Sequence, residues 1–221
     1  MVYEDVSKIL EDNDPELIEK YSDLIDDLRN MEKLYKILNK RREARGSLDF
    51  DLDESKITLD IEGKPTDIMP YDRRVSNRII EEFMLICNET IAEHIYWQQI
   101  PFMYRIHEEP TVEKMLDFNE FIHNFGYHLK GIGGEIHPKV LQELLKKIKG
   151  TKEEAIISAV MLRSLQKARY SHESLGHFGL ATNYYCHFTA PIRRYPDLVV
   201  HRIIKATLYN ELNEKKIKRL E

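Results

Sequence analysis

The chain has 221 residues, enough for one or two domains with a sizeable core. Cys87 and Cys186 lie far apart with no CxxC, which excludes a disulfide framework or a zinc site and reads as buried thiols of a cytoplasmic protein. No apolar run approaches the ~20 residues that span a bilayer, and the acidic N-terminus does not read as a signal peptide, so no membrane partner is expected. The net charge of −5 is unlike most nucleic-acid binders, yet it is unevenly spread. Residues 1–27 hold ten acids and two lysines, whereas residues 163–219 hold eleven Lys/Arg and four acids, which fits one basic face.

Asp14-Pro15 predicts a helix start, with a capping side chain followed by a proline suited to the first turn. Leu17, Ile18, Tyr21, Leu24, Ile25, Leu28, Met31, Leu34, Tyr35 and Leu38 keep one apolar stripe, so a single long helix is expected to end near Arg45-Gly46. Short strands follow at Ser47–Asp51, Lys56–Ile61 and Thr66–Met69, with Glu62-Gly63-Lys64 as the hairpin turn. Asp49, Asp51 and Asp53 alternate, but no Gly or closing Glu stands at Ca²⁺-loop spacing, so they are expected to face solvent.

A second long helix is expected from Arg73 to about Trp97, then a short extended piece at Phe102–Ile106. Pro110 opens a helix that Gly126 stops, and Pro138 opens one that Gly150 closes. Between them Gly131-Ile132-Gly133-Gly134 lacks GxGxxG spacing and a feeding strand, and reads as a flexible turn. Thr151-x-x-Glu154 is a capping box for a helix reaching about Arg169. Residues 170–195 are irregular, the last helix covers 196–213, and the basic tail beyond Glu214 is expected to fray. The whole reads as one α-rich α+β unit with a small antiparallel sheet.

The chemistry concentrates in His187-Phe188-Thr189-Ala190-Pro191-Ile192-Arg193-Arg194-Tyr195-Pro196-Asp197-Leu198. Two adjacent guanidinium groups precede a helix start marked by Pro196, a geometry suited to phosphate. Thr189 is a candidate phosphate donor or a loop cap, and Arg194 a candidate for a flanking phosphate or for pairing with Asp197. Tyr184, Tyr185, Phe188 and Tyr195 surround the arginines in sequence; aromatic rings stack on unpaired bases, for ~1–3 kcal/mol each, or pack in a core, as expected for Phe188. His177 and His187 are read as structural hydrogen-bonding residues rather than general bases, and His201 as packed or half-exposed.

That string resembles the signature of the ribonuclease II/ribonuclease R family, in its RNB catalytic domain. Four further blocks resemble the family in order: Arg45-Gly46-Ser47-Leu48-Asp49-Phe50, Glu81-Glu82-Phe83-Met84-Leu85-Ile86-Cys87-Asn88, Phe102-Met103-Tyr104-Arg105-Ile106-His107-Glu108-Glu109-Pro110 and Gly176-His177-Phe178-Gly179-Leu180-Ala181. The resemblance covers about residues 2–212 and is to the bacterial ribonuclease R branch. It implies a processive 3′→5′ exoribonuclease that hydrolyses RNA to nucleoside 5′-monophosphates with Mg²⁺-activated water. It further implies single-stranded RNA as partner, Arg193 as the catalytic arginine at the scissile phosphate, and RNA contacts at Arg194, Thr189, Tyr185, Tyr195 and Tyr104. Ala190 stands where the family usually has serine, which removes one hydroxyl near the RNA backbone.

The family's metal-binding aspartate spacing, Asp-x5-Asp-x-Asp-Asp, does not occur here. Nor do its cold-shock and S1 domains, so residues 1–221 read as a partial RNB domain that is inactive alone and self-associates through surface exposed by truncation. The alternatives are a non-catalytic RNA-binding or protein-interaction module on the same scaffold, and a metal-independent hydrolase built on His177 or His187. The last requires an acid within hydrogen-bond reach of either ring.

Overall fold

The computed structural model describes residues 1–50, 55–70, 73–131, 134 and 136–212. The α+β class is borne out, with two separate two-stranded antiparallel sheets among the described residues rather than one. The chain divides into two compact units, residues 1–39 with 50–83 and residues 40–49 with 84–221. The strand expected at Ser47–Asp51 is not formed over its described residues 47–50, where Ser47 and Leu48 bond Gln142 and Gly179 instead of a neighbouring strand. Asp51 and Asp53 of the alternating aspartates, Ile132 and Gly133 of the Gly-rich turn, and the basic tail beyond Glu214 lie outside the described residues.

In the first unit, α1 (Tyr3–Ser7) continues into one wider helical turn at Lys8–Asp12, and Asn13 ends it in the left-handed conformation. Asp14 then caps α2 (Pro15–Lys20), its carboxylate accepting from the N–H groups of Glu16 and Leu17 at 3.1 Å each. The single long helix expected from Asp14 is broken: α2 stops at Tyr21, a short turn covers Ser22–Leu24, and α3 runs Ile25–Arg45. The break has a packing reason. It brings Leu17, Ile18 and Tyr21 onto the same cluster as Ile9, Ile25 and Leu28, and the Tyr21 hydroxyl donates to Asp5 at 2.9 Å. The periodicity saw one stripe because both helices contribute to one core. Ser7 and Ser76 pair their hydroxyls at 2.7 Å where both are buried, and Arg74 bonds Glu11 and Asp12 at 2.6 and 2.7 Å. Strands β1 (Ser55–Leu59) and β2 (Pro65–Pro70) form the expected hairpin, with Ile57 opposite Ile68.

In the second unit, α4 (Val75–Trp97), whose residues from Met84 onward belong here, presents Ala92 and Ile95 to a core with Phe102, Tyr104, Ile106, Cys186, Val200 and Ile203. Strand β3 (Tyr104–Ile106) pairs with β4 (Arg169–Ser171), Arg105 opposite Tyr170. Thr111 caps α5 (Val112–His123), and His137 with Pro138 opens α6 (Pro138–Ile148), as the prolines predict. Both pack on α7 (Glu154–Ser164) through Met115, Phe118, Ile122, Leu141, Ile148, Ile157 and Met161, all fully buried. The capping box is corrected. The Thr151 hydroxyl instead donates to the Ile148 carbonyl at 2.7 Å and Glu154 accepts from the Gly150 N–H, so the pair closes α6 rather than capping α7. The final helix, α8, covers Tyr195–Leu208.

Gly46 shows why glycine follows α3. Its φ is +98°, and a Cβ there would stand 2.9 Å from the Lys139 backbone nitrogen at the start of α6. Gln142 of α6 reinforces this junction, donating to the carbonyls of Glu43 and Ser47 at 3.0 and 2.9 Å. Gly46→Ala should therefore lower stability by about 1–3 kcal/mol, read from the urea denaturation midpoint. An unchanged midpoint would show that the α6 backbone yields freely.

Candidate functional site

Residues 172–194 pack on the second unit's core largely without regular structure, so side chains must satisfy much of their backbone. Two histidines begin this. His107 Nδ1 accepts from the Gly179 N–H and His177 Nδ1 from the Leu180 N–H, each at 3.2 Å. The rings meet edge to face at 5.1 Å, and a Cβ at position 179 would come 3.0 Å from His107 Nδ1, so only glycine fits there without displacing the ring. The Gly179 carbonyl in turn accepts from Leu48 N–H at 2.8 Å, which ties the segment after Gly46 to the same loop.

Next comes Asn88 on α4, buried in line with Ala92 and Ile95. Its amide donates to the Tyr185 hydroxyl at 3.2 Å and accepts from the Phe188 N–H at 3.1 Å, while its carbonyl accepts from Cys186 Sγ at 3.3 Å. One residue thus fixes both sides of His187. On α8, His201 donates from Nε2 to the Phe188 carbonyl at 2.9 Å, and its ring stacks on Phe188 at 4.1 Å.

Asp197 completes the arrangement from the first turn of α8. It is 0% exposed, and its Oδ1 accepts from the Ala190 N–H at 2.7 Å and from Arg194 Nη2 at 2.8 Å. The Ala190 carbonyl accepts from the N–H groups of Arg193 and Arg194 at 3.2 and 3.0 Å, which closes a tight turn. Arg194 therefore pairs with Asp197, the second of its two expected roles. Ile192 and Arg193 stand exposed at the apex, and among the described residues the Arg193 side chain has no hydrogen-bond or ion-pair partner. Thr189 Oγ1 is buried with no partner among the described residues, so it does not cap the loop.

The aromatic residues of this region do not form one cluster. Tyr195 is 67% exposed beside Arg194, whereas Tyr185 is buried between His177 and His187. Tyr184 turns the other way, onto Tyr96 and the exposed Trp97. Tyr104 points inward from β3, and burial pushes its hydroxyl pKa up to about 12. The base-stacking roles expected for Tyr104 and Tyr185 are corrected on this ground: neither offers a ring face to solvent. Asn88 is a position for which the sequence suggested no role, and Asp197 was expected only as a partner of Arg194, not as an acceptor for the Ala190 N–H. The available signal was polarity at Asn88 in the stripe of Met84, Ala92 and Ile95.

Burial leaves the histidines uncharged. It lowers His177 to about 3, with His107 and Arg105 adding to the effect, and His187 to about 4, with Arg194 adding. His107 is lowered for the same reason. His187 Nδ1 bonds the Tyr170 hydroxyl at 2.7 Å, and no carboxylate hydrogen-bonds His177 or His187 among the described residues. The acid that a histidine-based hydrolase requires is therefore missing from this arrangement. Burial likewise raises both thiols, Cys186 most, and the two cysteines are free. Among the described residues no helix is long and apolar enough to cross a membrane.

A helix-rich α+β scaffold that presents an arginine turn at a helix start is the architecture the signature string implied. The RNB domain matches residues 1–210, and the chain belongs to that family. It is 44% identical over 198 residues to ribonuclease R of Aquifex aeolicus, covering 90% of this chain and 28% of that protein. Ribonuclease R of Mycoplasma genitalium, solved in complex with ribose-methylated single-stranded RNA, superposes with a TM-score of 0.88 at 26% identity, over 99% of this chain and 34% of that one. Yeast Ssd1, described as a pseudonuclease, shares the fold with a TM-score of 0.69 at 24% identity, over 100% of this chain and 26% of that one. The chain thus spans about a third or less of the length of these relatives.

The neutral histidines set a pH dependence. Unfolded, each titrates near 6.5; folded, His177 and His187 stay neutral to about 3 and about 4. Between pH 6.5 and about 4 the unfolded chain binds more protons, so stability is full above pH ~6.5 and falls as pH drops through that window. The slope is at most about 1.4 kcal/mol per pH unit for each histidine. A urea midpoint that stays flat from pH 7 to 4.5 would contradict the neutral rings.

Proposed function

We propose that the whole protein is a cytoplasmic 3′→5′ exoribonuclease that degrades single-stranded RNA to nucleoside 5′-monophosphates. Residues 1–221 form part of its RNB catalytic domain and supply the arginine side of the phosphate site. The observation that carries this reading is the contrast within the signature loop. Asn88, Asp197 and His201 tie down its backbone, while of its two arginines Arg193 is left without a partner among the described residues. A planar guanidinium held at the apex of a fixed turn suits the phosphoryl oxygens, where charge develops during hydrolysis. Tyr195, exposed beside it, is available to stack on a base, whereas the Thr189 hydroxyl and Arg194 Nε are buried without a partner among the described residues, so a phosphate reaches either only if the turn moves. The RNA complex of the Mycoplasma genitalium relative supports single-stranded RNA as the partner.

Mg²⁺, which the family resemblance implies, finds no fitting donor set among the described residues. Among the described residues no group of three or more His, Cys, Asp or Glu side chains could hold a metal ion. The role of this stretch is therefore phosphate binding and charge stabilisation, and the 221-residue chain alone has little or no nuclease activity. The same observation favours a second reading, a non-catalytic RNA-binding module, of the kind the pseudonuclease description of Ssd1 brings to mind. Self-association belongs to the first reading as well, since Ile57, Leu59, Ile68 and Met69 of the hairpin are exposed.

Arg193→Ala in the intact protein should weaken a short fluorescent single-stranded RNA by about 10- to 100-fold and reduce the salt slope of log K by ~0.7. Unchanged affinity would place the phosphate site elsewhere. Clear magnesium-dependent 3′→5′ hydrolysis by the 221-residue chain, lost in Arg193→Ala, would overturn the assignment of inactivity.

A further inference from the structure

We propose that Asp197 is a positioning residue for the phosphate site, holding Arg193 at the apex of the loop through Ala190 and Arg194. The inference rests on the phosphate-binding role of Arg193 given above. Three observations carry it. First, Asp197 touches the loop at both ends: one carboxylate oxygen takes the Ala190 N–H at 2.7 Å and the Arg194 guanidinium at 2.8 Å. Second, the peptide of Ala190 is the hub of the turn. Its N–H goes to Asp197 and its carbonyl receives the N–H groups of Arg193 and Arg194. Releasing Ala190 therefore releases the backbone that aims Arg193. Third, Asp197 is poorly suited to a purely stabilising role. It is fully buried, and among the described residues its Oδ2 has no partner and Arg194 Nε is likewise unpartnered. A buried ion pair with unsatisfied atoms gains little stability over an apolar replacement, so its use here is to fix a geometry.

The arrangement divides the two arginines. Arg194, with its side chain 23% exposed, serves as the countercharge that lets a carboxylate sit inside the helix start. Arg193 keeps its guanidinium for the ligand. Asp197 also lies in the first turn of α8, where the helix dipole favours a negative charge. The carboxylate is thus held by the helix, and the loop is held by the carboxylate.

The test is a double-mutant cycle on RNA binding in the intact protein, with folding checked by circular dichroism. Asp197→Ala should lose about as much affinity as Arg193→Ala, 10- to 100-fold, and adding Arg193→Ala to it should cost less than about threefold more. Asp197→Asn, which restores an acceptor for Ala190, should recover part of the loss; if Asp197→Ala does not fold, the cycle is run with Asp197→Asn. Fully additive losses would overturn this inference and leave the Arg193 reading standing. A silent Arg193→Ala in the otherwise native protein would overturn the Arg193 reading, and this inference with it. Failure of Asp197→Asn to fold would make Asp197 a purely structural residue and overturn the positioning role.

Discussion

An irregular segment packed against a core has no ladder to satisfy its backbone, and this constraint organises the second unit. Residues 172–194 meet it with side chains drawn from three directions, three of these side chains buried and His201 half-buried. His107 comes from the end of β3, Asn88 from α4, and Asp197 with His201 from α8. Each of the four bonds a main-chain N–H or carbonyl of the segment, and for the three that are buried, His107, Asn88 and Asp197, an unmade bond would cost roughly 1–3 kcal/mol. The loop backbone is consequently held at several points along its length. That is what a phosphate-binding turn requires, because a guanidinium on a loose loop would have to be ordered at the moment of binding.

The same economy of partners explains which residues are left for a ligand. His177 and His187 are neutral and hold the loop together, by a bond to Leu180 and by a bond to Tyr170 respectively. Tyr185 packs between them, and its hydroxyl is taken by Asn88. Arg194 is taken by Asp197. What remains at the surface of the turn is Ile192, Arg193 and Tyr195: one cation and one aromatic ring, with an apolar neighbour. Phosphate and base are the two chemistries such a pair recognises in an unpaired strand.

Local rules read from the sequence held where local physics decides. Prolines and caps marked the starts of α2, α5, α6 and α8, and the 3.6-residue period found α4 to its end at Trp97. They failed where packing decides. The stripe read from Leu17 to Leu38 is divided between two helices that share one cluster as far as Met31, with Leu24 and Leu34 exposed, and a stripe cannot reveal a break whose two sides meet the same cluster. Thr151 and Glu154 have capping-box spacing, yet they serve the preceding helix, because Gly150 brings that helix's end within their reach.

The sequence by itself determined the family, the class of fold and the string that holds the site, since residue type and order carry these directly. Residue chemistry alone placed Arg193 and Arg194 side by side as equal candidates for phosphate, and it was the family resemblance that singled out Arg193. Only the tertiary structure supplied the physical difference between them, which lies in a buried carboxylate that reaches one guanidinium and leaves the other out. The fates of Tyr104, Tyr185 and Tyr195 were decided in the same way. A tyrosine packs in a core or stacks at a surface with equal chemical ease, and the choice is made by which side of the chain the rest of the protein covers.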